Sequence, residues 1–402
     1  MNKADNNKVV LAFSGGLDTS YCVKYLMNEK NLEVYSILVN TGGFSSEELN
    51  EIEKRAYELG VKEHRNVTVE EKFYQDAIRF LVYGNILKNQ SYPLSVSAER
   101  TIQAETVADY VRETGAAYVA HGSTGAGNDQ VRFDLIFEVM IPEVEILTPI
   151  RDLKLSRQEE IDYLTKHGAA YSWEKSKYSI NQGLWGTSVG GAETLTSHQD
   201  LPEEAYPTQL DRSGSEDLEI SFTKGQITAV NGKEMNPVDA IREVNKIAAP
   251  FAVGRDIHVG DTIIGIKGRV GFEAAAPILI IKAHHALEKH TLTKWQLYWK
   301  EQLANWYGMM LHEAQFLDPV MRNIETFLED SQAMVTGKVF IELQPYNYHI
   351  KGIKSDHDLM TSDFGAYGEM NKLWSGEDVR GFTRILANAS KIYHSVNKTN
   401  DG

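Results

Sequence analysis

Apolar positions in the first third of the chain fall into two alternating textures. Residues 9–13 form a short continuous apolar run, residues 18–30 carry Tyr21, Val23, Tyr25 and Leu26 at helical spacing, and residues 34–39 are apolar again. A helical stretch over 45–59 ends at Gly60; another over 101–112 stops at Gly115 and leads into the apolar run 118–120. This alternation predicts a parallel sheet covered by helices on both faces. Ligands of such sheets collect beyond the carboxyl ends of the strands. Three loops therefore become candidates: 14–20, 40–43 and 121–132.

Beyond residue 170 the texture changes. Residues 187–216 are rich in Ser, Thr, Gly, Glu and Pro and read as a long excursion. Residues 218–222, a Lys224-Gly225 turn and residues 226–230 predict a hairpin. Asn236-Pro237 offers a cap and a first-turn proline for a helix whose apolar face is Val238, Ile241, Val244 and Ile247. Trp295, Trp299, Leu303 and Trp306 recur at helical spacing, which predicts core or a subunit interface. The final stretch, 378–393, is an amphipathic helix with Phe382, Ile385, Leu386 and Ile392 on one side. The expected organisation is an α/β nucleotide-binding domain over 1–170, an α+β domain over 171–370, and a C-terminal oligomerisation helix within 371–402.

Composition narrows the class. The chain has 402 residues, enough for two cores, and 42% of them are hydrophobic, as in ordinary soluble globular proteins. A formal charge of -15 repels a nucleic-acid backbone, so no nucleic-acid partner is expected. The single cysteine, Cys22, excludes an internal disulfide and a cysteine zinc cage, and favours a reducing compartment. Neither a signal-peptide pattern nor a membrane-spanning apolar stretch is present, so a cytoplasmic protein without a membrane partner is expected. His312-Glu313 is followed by Phe316 where a zinc helix needs histidine; His284, His285, His290 and His312 therefore read as structural, and no metal site is expected.

The sharpest local signal is AFSGGLDTS, residues 12–20. A strand running through Ser14-Gly15-Gly16 into a helix gathers backbone N–H groups at the positive end of a helix dipole, and Ser14, Thr19 and Ser20 add hydroxyls. The segment is too short for a Walker loop and lacks its lysine. Asp18 is tolerable beside phosphates when a divalent cation lies between them or when it caps helix amides.

SGGLDTS resembles the pyrophosphatase loop of the N-type ATP pyrophosphatases, or PP-loop enzymes. The stretch HGSTGAGNDQVRFD, 121–134, resembles the argininosuccinate synthases, whose corresponding loop is close to HGxTGKGNDQVRF. YSINQGLWGTS, VGRDIHVGDTIIGIKGR and TGKVFIEL extend the resemblance over nearly the whole chain. It implies a ligase of arginine biosynthesis: ATP adenylates the ureido oxygen of citrulline, pyrophosphate leaves with its Mg2+, and the aspartate amine displaces AMP. It also implies a homotetramer.

Carried over residue by residue, the resemblance assigns ATP to Ala12, Phe13, Ser14, Gly15, Gly16, Leu17, Asp18, Thr19, Ser20, Val39 and Gly122. It assigns aspartate to Thr124, Asn128 and Asp129. Citrulline falls to Tyr92, Ser97, Asn128, Arg132, Ser179, Ser188, Gly260 and Phe272. Asp18, Asp129 and Arg132 are the expected catalytic set. The chain departs from the family's pattern at Ala126, where a lysine is usual, at Asn181, in LSVSAER before Arg100, and at Gly260 and Phe272, which stand where a Glu and a Tyr contact citrulline. Plain citrulline is the expected substrate; an N-acylated citrulline and a degenerate nucleotide-binding paralogue are the alternatives. An RNA-modifying PP-loop enzyme is disfavoured by the charge and by the solitary cysteine.

Overall fold

The computed structural model describes residues 6–169, 171, 173, 177–365, 367–370 and 373–397. Strands β1 (Lys8–Ala12), β2 (Glu33–Asn40), β3 (Glu63–Thr68), β4 (Tyr118–His121) and β5 (Glu145–Leu147) form one parallel sheet in the order β3-β2-β1-β4-β5. Period-two alternation splits β1 between two cores. Val10 packs with helices Ser95–Thr114 and Asp129–Met140 on one face, whereas Val9 and Leu11 pack with helices Leu17–Asn28 and Ser46–Leu59 on the other. A strand buried on both sides must be apolar throughout, which is why β1 reads as an unbroken run.

The three candidate loops leave the carboxyl ends of β1, β2 and β4, which are neighbours in the sheet. Between β1 and β4 the strand order reverses, so the crevice opens at the switch point of the topology. The stop at Gly60 agrees with the sequence reading, and the helix starts one residue later than expected, at Ser46. Ser45 and Glu48 form a capping box ahead of Ser46–Leu59, and Gly60 closes that helix in the left-handed region at φ 101°. Cys22 is fully buried in the helix Leu17–Asn28.

Two antiparallel sheets follow. The first has the order β11-β12-β7-β6, from β6 (Ser179–Gly183), β7 (Gly186–Gly190), β11 (Arg255–Asp261) and β12 (Lys267–Glu273). The second, β10-β9-β8-β13-β14, is built from β8 (Glu216–Thr223), β9 (Gln226–Val230), β10 (Lys233–Glu234), β13 (Gly337–Gln344) and β14 (Asn347–Lys354). The predicted hairpin is the β8–β9 pair, and Asn236 caps the helix Pro237–Ala248 as expected. The fold is thus a parallel α/β domain followed by an α+β region. One hydrophobic core runs from Val10 and Ile102 to Ile220 and Leu287, so residues up to His357 form one compact unit.

Asp358 onward forms a second unit. The expected terminal helix is two helices, Gly376–Leu386 and Asn388–Val396, divided at Ala387. Neither buries a residue within the chain, and Phe382, Ile385, Leu386 and Ile392 are exposed. Trp295, Trp299 and Trp306 are likewise exposed on helix Lys294–His312, so the three tryptophans are not core in the isolated chain, whereas Leu303 of the same stripe packs against it. Among the described residues, no helix is long and apolar enough to cross a membrane.

Candidate functional site

A cavity of about 750 Å³ opens over the carboxyl ends of β1, β2 and β4 and is closed on its far side by β6, β7 and the β11–β12 hairpin. Of the residues the resemblance assigns to ATP, aspartate and citrulline, all but Gly15, Ser20 and Phe272 line it; Ala126 does not line it either.

At one end lies the loop after β1. The first backbone bond of its helix runs from the Ser20 N–H to the Gly16 carbonyl at 3.0 Å, leaving the amides of Leu17, Asp18 and Thr19 without intrahelical acceptors. Thr19 Oγ1 accepts from the Ser14 amide at 3.4 Å and lies 3.3 Å from Ser14 Oγ, so the hydroxyls tighten the turn. The helix is capped by Gly16, not by Asp18, whose carboxylate is in the first turn. Gly15 adopts φ 75°, and its carbonyl accepts from Arg55 at 2.6 Å; it shapes the loop from behind. Gly122 lies close to the loop: a Cβ there would stand 3.1 Å from Thr19 Cγ2 and 3.3 Å from its amide nitrogen, so Thr19 would have to shift by a few tenths of an ångström. Ser20 is buried with its hydroxyl unpartnered.

Glu160, on the helix Arg157–Lys166, is buried beside this loop. Burial and the adjacent Asp18 carboxylate push it up to about 8, which keeps the Glu160 carboxyl protonated near neutral pH. Arg157, from the same helix, also lines the cavity and donates to the Trp173 carbonyl at 3.1 Å.

In the middle stands Asp129, at the first turn of Asp129–Met140. Its Oδ2 accepts from Arg100 Nε and its Oδ1 from Arg132 NH1, each at 3.0 Å. Burial pushes this carboxyl up, but the two guanidinium groups outweigh it and hold it below the usual range. Arg100 also reaches Glu99 at 3.3 Å and Asn181 Oδ1 at 3.1 Å, while Thr41 donates to Glu99 at 2.7 Å. Burial raises Glu99 despite Arg100 and Thr41. Asn181, which replaces a common Asp, is thus a neutral acceptor for Arg100. The loop's base is pinned by His121, which donates from Nε2 to Asp134 at 2.8 Å and accepts the Ser123 amide on Nδ1 at 3.2 Å. Asn128 Oδ1 accepts from the Ile263 amide at 2.8 Å and ties the β11–β12 hairpin to the same loop.

The other end contains Tyr92, Ser97, Arg132, Ser188, His258, Gly260 and His312. Phe272 lies behind this wall, with its ring 5.4 Å from that of Tyr92; it supports Tyr92 and does not face the cavity. His258 stacks on Tyr92 at 5.1 Å, and a Cβ on Gly260 would stand 2.6 Å from His258 Nε2, so His258 occupies the space vacated there. Burial, with Lys88 nearby, lowers His258. Burial, Arg132 and Lys88 lower His312 to about 3. Both rings are neutral. Sequence reasoning missed Glu99, Arg100, Glu160, His258 and His312, because no motif spacing connects them.

A parallel-sheet domain with an amide-rich loop at its switch point, closed by an α+β region carrying carboxylates and arginines, defines a HUP-type nucleotide-binding enzyme fold. Residues 8–170 match the family model described as Arginosuccinate synthase N-terminal HUP domain, and residues 178–393 match Arginosuccinate synthase C-terminal domain. Among the similar proteins are the argininosuccinate synthases of Dictyoglomus turgidum, 36% identical over 97% of this chain and 98% of the relative, and of Methanocaldococcus jannaschii, 36% identical over 90% and 91%. That of Pyrococcus furiosus is 32% identical over 98% and 97%. The chain belongs to the argininosuccinate synthase family.

Proposed function

We propose that the protein is a ligase that joins citrulline to aspartate at the expense of ATP, giving argininosuccinate, AMP and pyrophosphate. The observation that carries this reading is a single cavity with a phosphate-type loop at one end, Asp129 between two arginines at its centre, and a serine-rich wall at the other. In the first step the ureido oxygen attacks the α-phosphorus and pyrophosphate leaves. The aspartate amine then attacks the activated carbon and AMP departs with the oxygen it received. The chain supplies alignment and charge balance; no protein nucleophile is required.

In this reading the amides of residues 17–19, with Ser14 and Thr19, hold the departing phosphates, and Val39 borders the base. Thr124, Asn128 and Asp129 receive aspartate, the Asp129 carboxylate meeting its ammonium. Tyr92, Ser97, Arg132, Ser179 and Ser188 receive the carbamoyl substrate. Among the described residues no three His, Cys, Asp or Glu side chains converge on a metal site. Mg2+ would arrive with the nucleotide, and Asp18 is the carboxylate of the loop that would stand beside it. Bound there, it would neutralise the leaving pyrophosphate.

A second substrate, citrulline acylated on its α-amine, is favoured by one feature of the wall. Around Gly260 stand His258, Asn89 and Lys88; the carboxylates near Lys88, Glu313 and Asp261, are exposed, and Asp261 is paired with Lys267 at 2.7 Å. A free ammonium gains little there. The cytoplasm and a homotetramer, with the exposed apolar faces of the last two helices as contact surfaces, complete the proposal. The test is pyrophosphate release with ATP, aspartate and either citrulline or N-acylcitrullines. Release with citrulline supports the first reading; release with the acylated form alone moves the assignment to the second; no release with either removes both.

A further inference from the structure

His312 is 6% exposed, lies at the last turn of helix Lys294–His312 and faces the cavity, yet no motif assigns it a task. Its surroundings do. His312 Nδ1 is 3.0 Å from Ser97 Oγ, and Ser97 Oγ accepts from Arg132 NH2 at 2.9 Å. The same NH2 donates to the His312 backbone carbonyl at 3.2 Å, and Arg132 NH1 donates to Asp129. Arg132 can only donate, so the Ser97 oxygen accepts from it and the Ser97 proton is free to turn toward His312 Nδ1. An acceptor at Nδ1 in a neutral ring places the imidazole proton on Nε2. That nitrogen is buried and has no hydrogen-bond partner among the described residues.

We infer that His312 is a positioning residue for the carbamoyl-substrate end of the site: through its Nδ1 it orients the Ser97 hydroxyl, and through Ser97 and its own carbonyl it holds the Arg132 fork against Asp129. The inference rests on the ligase reading. It deepens that reading by assigning the carbamoyl pocket a neutral imidazole that orients its hydroxyl and guanidinium groups. Two arguments support it beyond contact alone. Ser97, Arg132 and His312 come from three separate helices, so the ring fixes their mutual register at the point where they meet. A protonated ring would also confront the Arg132 guanidinium, with Lys88 and His258 nearby; of the acidic side chains, Asp129 is already held by Arg100 and Arg132, and Asp261 and Glu313 are exposed. The arrangement therefore works only with neutral His312.

The two ring nitrogens can be tested separately. Asn at this position offers an acceptor near Nδ1, whereas Gln reaches toward Nε2. Steady-state kinetics of the full-length chain with ATP, aspartate and the accepted carbamoyl substrate should give a KM for that substrate raised about tenfold by H312A and by H312Q, with H312N within about threefold of the unaltered chain. The KM for ATP should stay within about twofold in all three. A crystal structure of H312A should have Arg132 NH1 drawn away from Asp129. Rescue by Gln and not by Asn would overturn the inference, as would an H312A enzyme with an unchanged carbamoyl KM or equal losses for ATP and the carbamoyl substrate. Absence of pyrophosphate release from the unaltered chain would instead remove the ligase reading, and this inference with it.

Discussion

The two ends of the cavity are held together differently. At the β1 loop the groups offered to ligand are mostly backbone amides from one run of residues, shaped by Gly15 and by the close approach of Gly122 to Thr19. At the Gly260 end they are side chains from five stretches of chain: Tyr92 and Ser97, Arg132, Ser188, His258 on the hairpin, and His312. Backbone donors persist whatever side chains the sequence carries, so the phosphate end tolerates side-chain variation except at its glycines. A wall of side chains can be rebuilt one residue at a time. The difference teaches where the chain's chemistry is fixed and where its specificity can move, and it can be broken by experiment.

The largest expected effect lies between the two ends. D129N leaves Arg100 and Arg132 without their shared carboxylate and should lower kcat/KM for aspartate by about 100-fold or more, measured under saturating ATP. Next is G122A, whose added methyl presses on Thr19; it should raise the KM for ATP by about tenfold or more while the KM for the carbamoyl substrate changes little. Equal damage to both would mean that the ends are not independent, and the comparison would fail.

Acid stability sharpens the picture of the side-chain end. His284, buried in a network with Asn85 and Gln332, is lowered to about 4 by burial, and His312 to about 3. The unfolded chain binds these protons near pH 6.5, before the folded one does. Their stabilisation is therefore complete above about pH 6.5 and is lost as pH falls toward the folded values, by on the order of 1–3 kcal/mol. Denaturant titrations across that window should give a shallower decline in H312N. The smallest effect belongs to a position remote from both ends. Asn236 accepts the Asp239 amide at 2.9 Å, and N236A should cost about 1 kcal/mol of stability with kinetics unchanged.

The same contrast explains what could be read without coordinates. The β1 loop was legible because its chemistry is contiguous: strand, glycines, hydroxyls and helix follow one another in AFSGGLDTS. The sheet was legible because β1 is buried on both faces and its neighbours repeat the pattern. Arg100 and Glu99 were not, since on a helix of ordinary polarity nothing marks which charged residues turn inward toward Asp129. His312 was read as structural because the zinc-helix pattern fails, yet its role comes from Ser97, 215 positions away. Phe272 matched the family by register, but its side chain falls behind Tyr92. The tryptophan stripe gave a correct period and no indication of what covers it.

Oxygen transfer tests the central claim most directly. With citrulline, or the accepted carbamoyl substrate, carrying ¹⁸O in its ureido group, the account predicts that the label appears in the phosphate of AMP while the pyrophosphate stays unlabelled. Unlabelled AMP, or ADP and orthophosphate in its place, would contradict it.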